Sequence, residues 1–255
     1  MDHKIVGTTL PVLEMTLQPG DSIIAEPGEL SWMMGNIQLR TSTQGAGAKN
    51  LFGVLKRAIA GGGLFLTEYS AQGGSGLVAF AAKLPGQILA VDVQRGRGYM
   101  IHRHGFVCAT PGVEVTVGFQ RSLGAGIFGG DGFVLQRLGG TANAFIELSG
   151  EVVVYDLLPG QELRVHPGHV GMFEESINFD ITMVPGIANA LFGNQGLFLA
   201  RLVGPGRVWL QSLTLPNLAH ALRPYVGRET APAAAVSGGV GGAVAGQVFK
   251  DILGQ

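Results

Sequence analysis

Along the chain, short apolar runs alternate with glycine-bearing turns, and one order of turn and run comes round three times. A Pro-Gly pair followed by Asp or Gln recurs as Pro19-Gly20-Asp21, Pro85-Gly86-Gln87 and Pro159-Gly160-Gln161. Each leads into an apolar stretch that predicts a strand, at residues 22–25, 88–91 and 162–165. A second glycine turn closes the stretch at Pro27-Gly28, Arg95-Gly96 and Pro167-Gly168. Further on, a glycine pair or Gly-x-x-Gly precedes another apolar strand at 62–66, 130–135 and 193–199. Each of these is followed by a turn and one more strand, at 76–80, 144–148 and 207–210.

Two markers recurring in the same order predict three copies of one β unit, at residues 10–83, 84–157 and 158–216. A unit of ~70 residues buries its apolar face poorly alone, so three packed about a pseudo-threefold axis would share one continuous core. Residues 217–255 break the pattern. A short helix is expected from Asn217, capped by that residue and ended by Pro224, followed by a mobile Ala/Gly-rich tail.

Composition agrees with this pattern. Glycine accounts for 42 of 255 residues, and glycine favours turns over helix interiors. Apolar residues reach 46% and charged residues only 14%, which points to extensive buried surface or interfaces. The net charge of −1 and the five scattered lysines leave no basic patch for a phosphate backbone, so no nucleic-acid partner is expected. A single cysteine, Cys108, fits a reducing compartment, and the N-terminus has no basic-then-apolar leader, so the expected location is cytoplasmic.

Before each second marker lies a small apolar segment with a phenylalanine: Phe52, Phe128 and Phe192. Units related by rotation would gather the three at one end as an apolar patch for a partner protein or a membrane surface; otherwise they fill the core between units.

Among residues able to do chemistry, His102 and His104 are placed to share one face if they lie on a strand, as two imidazoles of a cupin-type metal site would. The cupin carboxylate is missing: the next position falls on Cys108 and Ala109, and the first carboxylate beyond is Glu114. His166, His169, Glu174 and Glu175 are further candidates from another unit, while solvent-facing histidines are the plainer reading. The spacing Gly124-x-Gly126-x-x-Gly129 matches a dinucleotide fingerprint, but Gly130 and Gly132 follow at once and read as turns. Cys108 sits in an apolar run and is expected to pack, and Trp32 and Trp209 read as core fillers. No cofactor and no catalytic set is read here.

The stretches Glu26-Pro27-Gly28-Glu29-Leu30-Ser31-Trp32-Met33, Gly62-Gly63-Leu64-Phe65-Leu66-Thr67-Glu68-Tyr69 and Phe128-Gly129-Gly130-Asp131-Gly132-Phe133, occurring in order, resemble the altered-inheritance-of-mitochondria family and its bacterial relatives. That resemblance implies an all-β fold of three tandem TRAP-like double-stranded β-helix units and assembly into a homotrimeric ring. It implies a scaffold or binding role, and it brings no catalytic residues with it. A metal-dependent cupin-like enzyme using His102 and His104 is the alternative.

Overall fold

Residues 12–17 show how sequence becomes sheet here: Leu13, Met15 and Leu17 are buried while the positions between them are half-open. That period of two is the signature of a strand with one face on a core. In the computed structural model, residues 1–43, 65–121, 132–183, 198–222 and 224–225 are described. Among these residues the fold is all-β apart from one short helix and a single 3₁₀ turn at Pro167–His169. The strands are β1 (Asp2–Val6), β2 (Val12–Leu17), β3 (Ser22–Ala25), β4 (Trp32–Thr43), β5 (Phe65–Ala81) and β6 (Gly86–Val93). Next come β7 (Tyr99–His102), β8 (Phe106–Ala109), β9 (Val113–Arg121), β10 (Phe133–Gly140), β11 (Ala142–Ser149) and β12 (Val152–Leu157). The last are β13 (Glu162–Val165), β14 (Val170–Glu174), β15 (Asn178–Met183), β16 (Phe198–Val203) and β17 (Gly206–Gln211), ahead of α1 (Leu215–Leu222).

These strands form sheets of eight, six and three strands. The eight-stranded sheet runs β1-β2-β5-β3-β8-β11-β6 with β4 on β5; the six-stranded one runs β12-β17-β14-β7-β10-β9; the small one is β13-β16-β15. Every pairing among the described strands is antiparallel.

Three apolar clusters fill the spaces. Leu13, Leu17, Tyr69, Phe80 and Phe145 lie within the curled eight-stranded sheet with Cys108. Ile101, Leu138 and Met172 of the six-stranded sheet meet Phe106, Ala144 and Ile146 of the eight-stranded one. Leu135, Phe173 and Val208, from the opposite face of the six-stranded sheet, meet Ile181, Ala200 and Leu202 of the small one. Opposite faces of one strand explain the split: on β14, Met172 points into one cluster and Phe173 into the other.

Two Pro-Gly turns are built alike. Gly20 (φ +92°) and Gly160 (φ +77°) take the left-handed conformation that glycine allows. The Asp21 carboxylate accepts the Gln18 N–H at 3.0 Å, and Gln161 Oε1 accepts the Leu158 N–H at 3.0 Å. Pro85-Gly86 is different: Gly86 is already the first residue of β6, paired with Ser149. The helix also starts earlier than its sequence suggests. Thr214 Oγ1 accepts the Asn217 N–H at 3.3 Å, so Thr214 rather than Asn217 occupies the capping position, and Pro216 sits in the first turn, where no N–H is missed.

Met1–Ala219 forms one compact unit and holds all the described strands; His220–Gln255 forms a second unit, of which few residues are described. No helix among the described residues is long and apolar enough to cross a membrane.

One turn is a sensitive point. Gly140 has φ +88°, and a Cβ there would lie 2.1 Å from the Gly112 carbonyl oxygen. Gly140→Ala combines left-handed strain with a backbone clash, and the expected loss is about 2–4 kcal/mol. A urea titration followed by circular dichroism measures it, and an unchanged midpoint would contradict this geometry.

Candidate functional site

β7 ends at His102, and residues 103 and 104 form the turn into β8. His102 and His104 therefore do not share one continuous strand, and the same-face geometry expected of alternate strand residues does not extend to His104. His102 Nε2 lies 2.9 Å from the Glu147 carbonyl oxygen. A carbonyl only accepts, so Nε2 carries the proton and Nδ1 holds the lone pair. Burial pushes the imidazole down to about 4, against the opposing pull of that hydrogen bond and with help from the charges of His104 and Lys83. His104 is also lowered, by burial first and then by Arg103 and Lys83. The ring of His102 rests on Gly105, where a Cβ would come within 2.9 Å of its Cδ2 and Nε2.

Around this turn lies a set of polar groups, with Glu29, Gln136 and Glu147 buried and Lys83 exposed beside them. Glu147, almost fully buried on β11, accepts the N–H groups of Lys83 (2.9 Å) and Leu84 (3.2 Å) through Oε1. Lys83 Nζ pairs with the buried Glu29 carboxylate. Glu26 accepts a hydrogen bond at 2.6 Å from Nε2 of buried Gln136, whose Oε1 has no partner. Burial raises the carboxyl groups of Glu26 and Glu147 above the ordinary range, opposed at Glu26 by the Gln136 hydrogen bond and at Glu147 by its backbone donors. The two N–H bonds to Glu147 tie the segment around Lys83 to β11, while Gln136 Oε1 stays unsatisfied. Sequence reading missed them, because nothing local marks which strand faces a polar group will meet.

The remaining candidates have structural work. His166 Nδ1 accepts the Gly168 N–H at 3.3 Å, and His169 Nδ1 lies 2.8 Å from the Gln211 carbonyl. Glu174 accepts the Arg207 N–H at 3.0 Å; Glu175 pairs with Arg137 and accepts the Gly98 N–H at 3.2 Å. Cys108 is fully buried, and burial pushes its thiol well up, as suits a packed residue. Glu114 is exposed on β9. Among the described residues, no three His, Cys, Asp or Glu side chains converge on one point as metal ligands. Phe52, Phe128 and Phe192, with the Gly124–Gly126–Gly129 spacing, lie outside the described residues.

Exposed apolar surface is the other feature of note. Trp32, Met33 and Met34 are 44%, 42% and 62% exposed on β4, which pairs only with β5 among the described strands. Trp32 is thus no core filler within the chain, whereas Trp209 packs partly buried against the core with Arg207 over its ring. Val153, Val154 and Tyr155 are likewise exposed on the edge strand β12. Consecutive exposed residues mean that both faces of an edge strand are open.

Comparison with known proteins bears on the fold and the family. A crystal structure of a Streptococcus pyogenes protein superposes with a TM-score of 0.70 over 88% of this chain and 99% of that one, at 22% identity, a likeness of fold. An uncharacterized protein of Streptococcus pyogenes serotype M6 is 26% identical over 224 residues, covering 85% of this chain and 87% of that protein. The family model described as mitochondrial biogenesis AIM24 matches residues 3–213, and the chain belongs to that family.

Proposed function

We propose that the chain is a non-catalytic scaffold or binding protein that acts as a homo-oligomeric β ring, a trimer of three-unit chains. The observation that carries this reading is the open apolar surface on strand edges, Trp32, Met33 and Met34 on β4 and Val153, Val154 and Tyr155 on β12. Monomeric proteins blunt their edges with charge, bulges or covering segments; leaving them apolar suits a strand that is paired in the assembly. A second copy is the occupant that a chain with 14% charged residues and open strand edges fits best.

Strand pairing supports a three-unit architecture. Ala79 lies between Glu14 and Trp32, Ala144 between Val91 and Ala109, and Trp209 between Val154 and Met172. The two flanking residues are separated by the same length of chain in each set. The second strands fall in step as well, with Ser22 opposite Ser70, Tyr99 opposite Leu138 and Glu162 opposite Val203. In this frame the second and third units have six strands each, led by β6 and β12. The first has four, β2–β5, with the long β4 and β5 each filling two places. Each apolar cluster comes mostly from one unit and is completed by residues of a neighbouring one. Gly96 then takes the place of Pro19 and Pro159.

Native mass spectrometry of the untagged full chain tests the reading. Three chains per particle is the expected result, and a monomer at every concentration would refute it. A monomer carrying a stoichiometric metal, lost on His102→Ala, would replace it with metal chemistry at His102 and His104.

A further inference from the structure

Two junctions inside the chain follow one rule. β3 lies antiparallel to β8, with Ile24 opposite Ala109 and Ala25 opposite Cys108. β7 lies antiparallel to β14, with Ile101 opposite Met172, Met100 opposite Phe173 and Tyr99 opposite Glu174. In the three-unit frame, each junction lays the second strand of one unit against the third strand of the next. Two strands are left over: β13, the second strand of the last unit, and the 32–35 limb of β4, the third strand of the first. Among the described strands, β13 pairs only with β16 and β4 only with β5.

We infer that these two edges meet between copies of the chain, β13 of one adding antiparallel to residues 32–35 of the next. The inference rests on the oligomeric reading above and supplies its contact. The register follows from the junctions already made. Arg164 occupies the place of Ile24 and Ile101, and Trp32 that of Ala109 and Met172. Arg164 therefore falls opposite Trp32, Leu163 opposite Met33, and Glu162 opposite Met34.

Burial supports the match. At the internal junctions Ile24, Ile101, Ala109, Met172 and Phe173 are all buried, whereas Trp32, Met33 and Met34 are open, as residues awaiting an equivalent strand would be. The side chains fit as well. Arg164, whose side chain is 68% exposed, would lie over the Trp32 indole, a pairing of cation and aromatic face. In the single chain Glu162 holds both Arg164 and Arg201, which keeps the β13 edge charged and discourages indiscriminate pairing. A head-to-tail contact of this kind uses two different patches on each copy, the type of interface that builds a ring when the rotation between copies closes and a filament when it does not.

Cysteine cross-linking tests the register. Directly opposed antiparallel residues have Cα atoms ~4.5–5.5 Å apart, within disulfide range. Trp32→Cys combined with Arg164→Cys should give covalent oligomers on mild oxidation, reversed by reductant. Neither single variant should, nor should Trp32→Cys with Leu163→Cys, whose side chains face opposite sides. Cys108 is buried and stays silent. In the unmodified protein, amides at 32–35 and 162–165 should exchange slowly in the assembled particle and at least tenfold faster on dilution to single chains. An assembly of several chains by native mass spectrometry whose two edges stay unprotected and uncross-linked overturns this junction and leaves the oligomeric reading standing. Single chains throughout overturn both.

Discussion

Phe173→Ala is expected to lower the unfolding free energy by about 3–5 kcal/mol, the usual range for removing a buried aromatic ring. Phe173 is 1% exposed and stacks on Phe179 at 5.1 Å, between the six-stranded and three-stranded sheets. Its strand is paired on both sides, to β17 and β7, so the backbone has little freedom to collapse into the cavity. Met33 holds the same place in the first unit of the proposed frame, yet it is 42% exposed and its strand is paired on one side. Met33→Ala should therefore change the folding of the single chain by less than ~1 kcal/mol, as surface substitutions do, while weakening assembly. Urea titrations at several protein concentrations separate the two effects, because assembly makes stability depend on concentration. Equal losses for both variants under conditions where only single chains exist would contradict the asymmetry.

The contrast between these two positions shows what the sequence could and could not disclose. The strands read at 22–25 and 162–165 are β3 and β13, and those at 144–148 and 207–210 lie within β11 and β17. Local alternation and glycine punctuation are enough for that. Cys108 packs as its apolar neighbours suggest. Pairing between distant strands is another matter. Nothing near Ile24 announces Ala109 as its partner, so neither the sheet order nor the junctions can be read locally. Matching Pro85-Gly86 to the other Pro-Gly turns followed composition, whereas Gly86 begins a strand. The same-face placement of His102 and His104 depends on strand periodicity running two residues past His102, whereas the strand ends at His102 and residues 103 and 104 form a turn. Trp32 reads as a core residue by type, but it is open on β4, which pairs only with β5 among the described strands.

His102 should also make stability depend on pH. In the unfolded chain its imidazole takes up a proton near the ordinary value of 6.5; in the folded chain it does so only near 4. Between those values the unfolded state binds more protons, so acid favours unfolding. The His102 contribution is present in full above pH 6.5 and is lost as pH falls towards 4, below which it changes no further. At 1.36 kcal/mol per pH unit the loss approaches about 3 kcal/mol, and solvent reaching the partly buried ring trims it to about 2 kcal/mol. His104 and His166, also lowered, act with the same sign. Glu26 and Glu147, whose values are raised, act with the opposite sign, since the folded state holds their protons more firmly as the solution is acidified. The total curve is therefore a balance, and a difference curve isolates the histidine. His102→Gln keeps a donor for the Glu147 carbonyl and removes the titration. Subtracting its unfolding free energy from that of the unmodified protein, from pH 7.5 to 4, should give a gap that shifts by about 2 kcal/mol across the window in favour of the variant at the acid end. A gap that stays constant from pH 7.5 to 4 would mean that the ring protonates as readily in the folded chain as in the unfolded one, and that its packing against Gly105 and the Glu147 carbonyl does not exclude the charged imidazole.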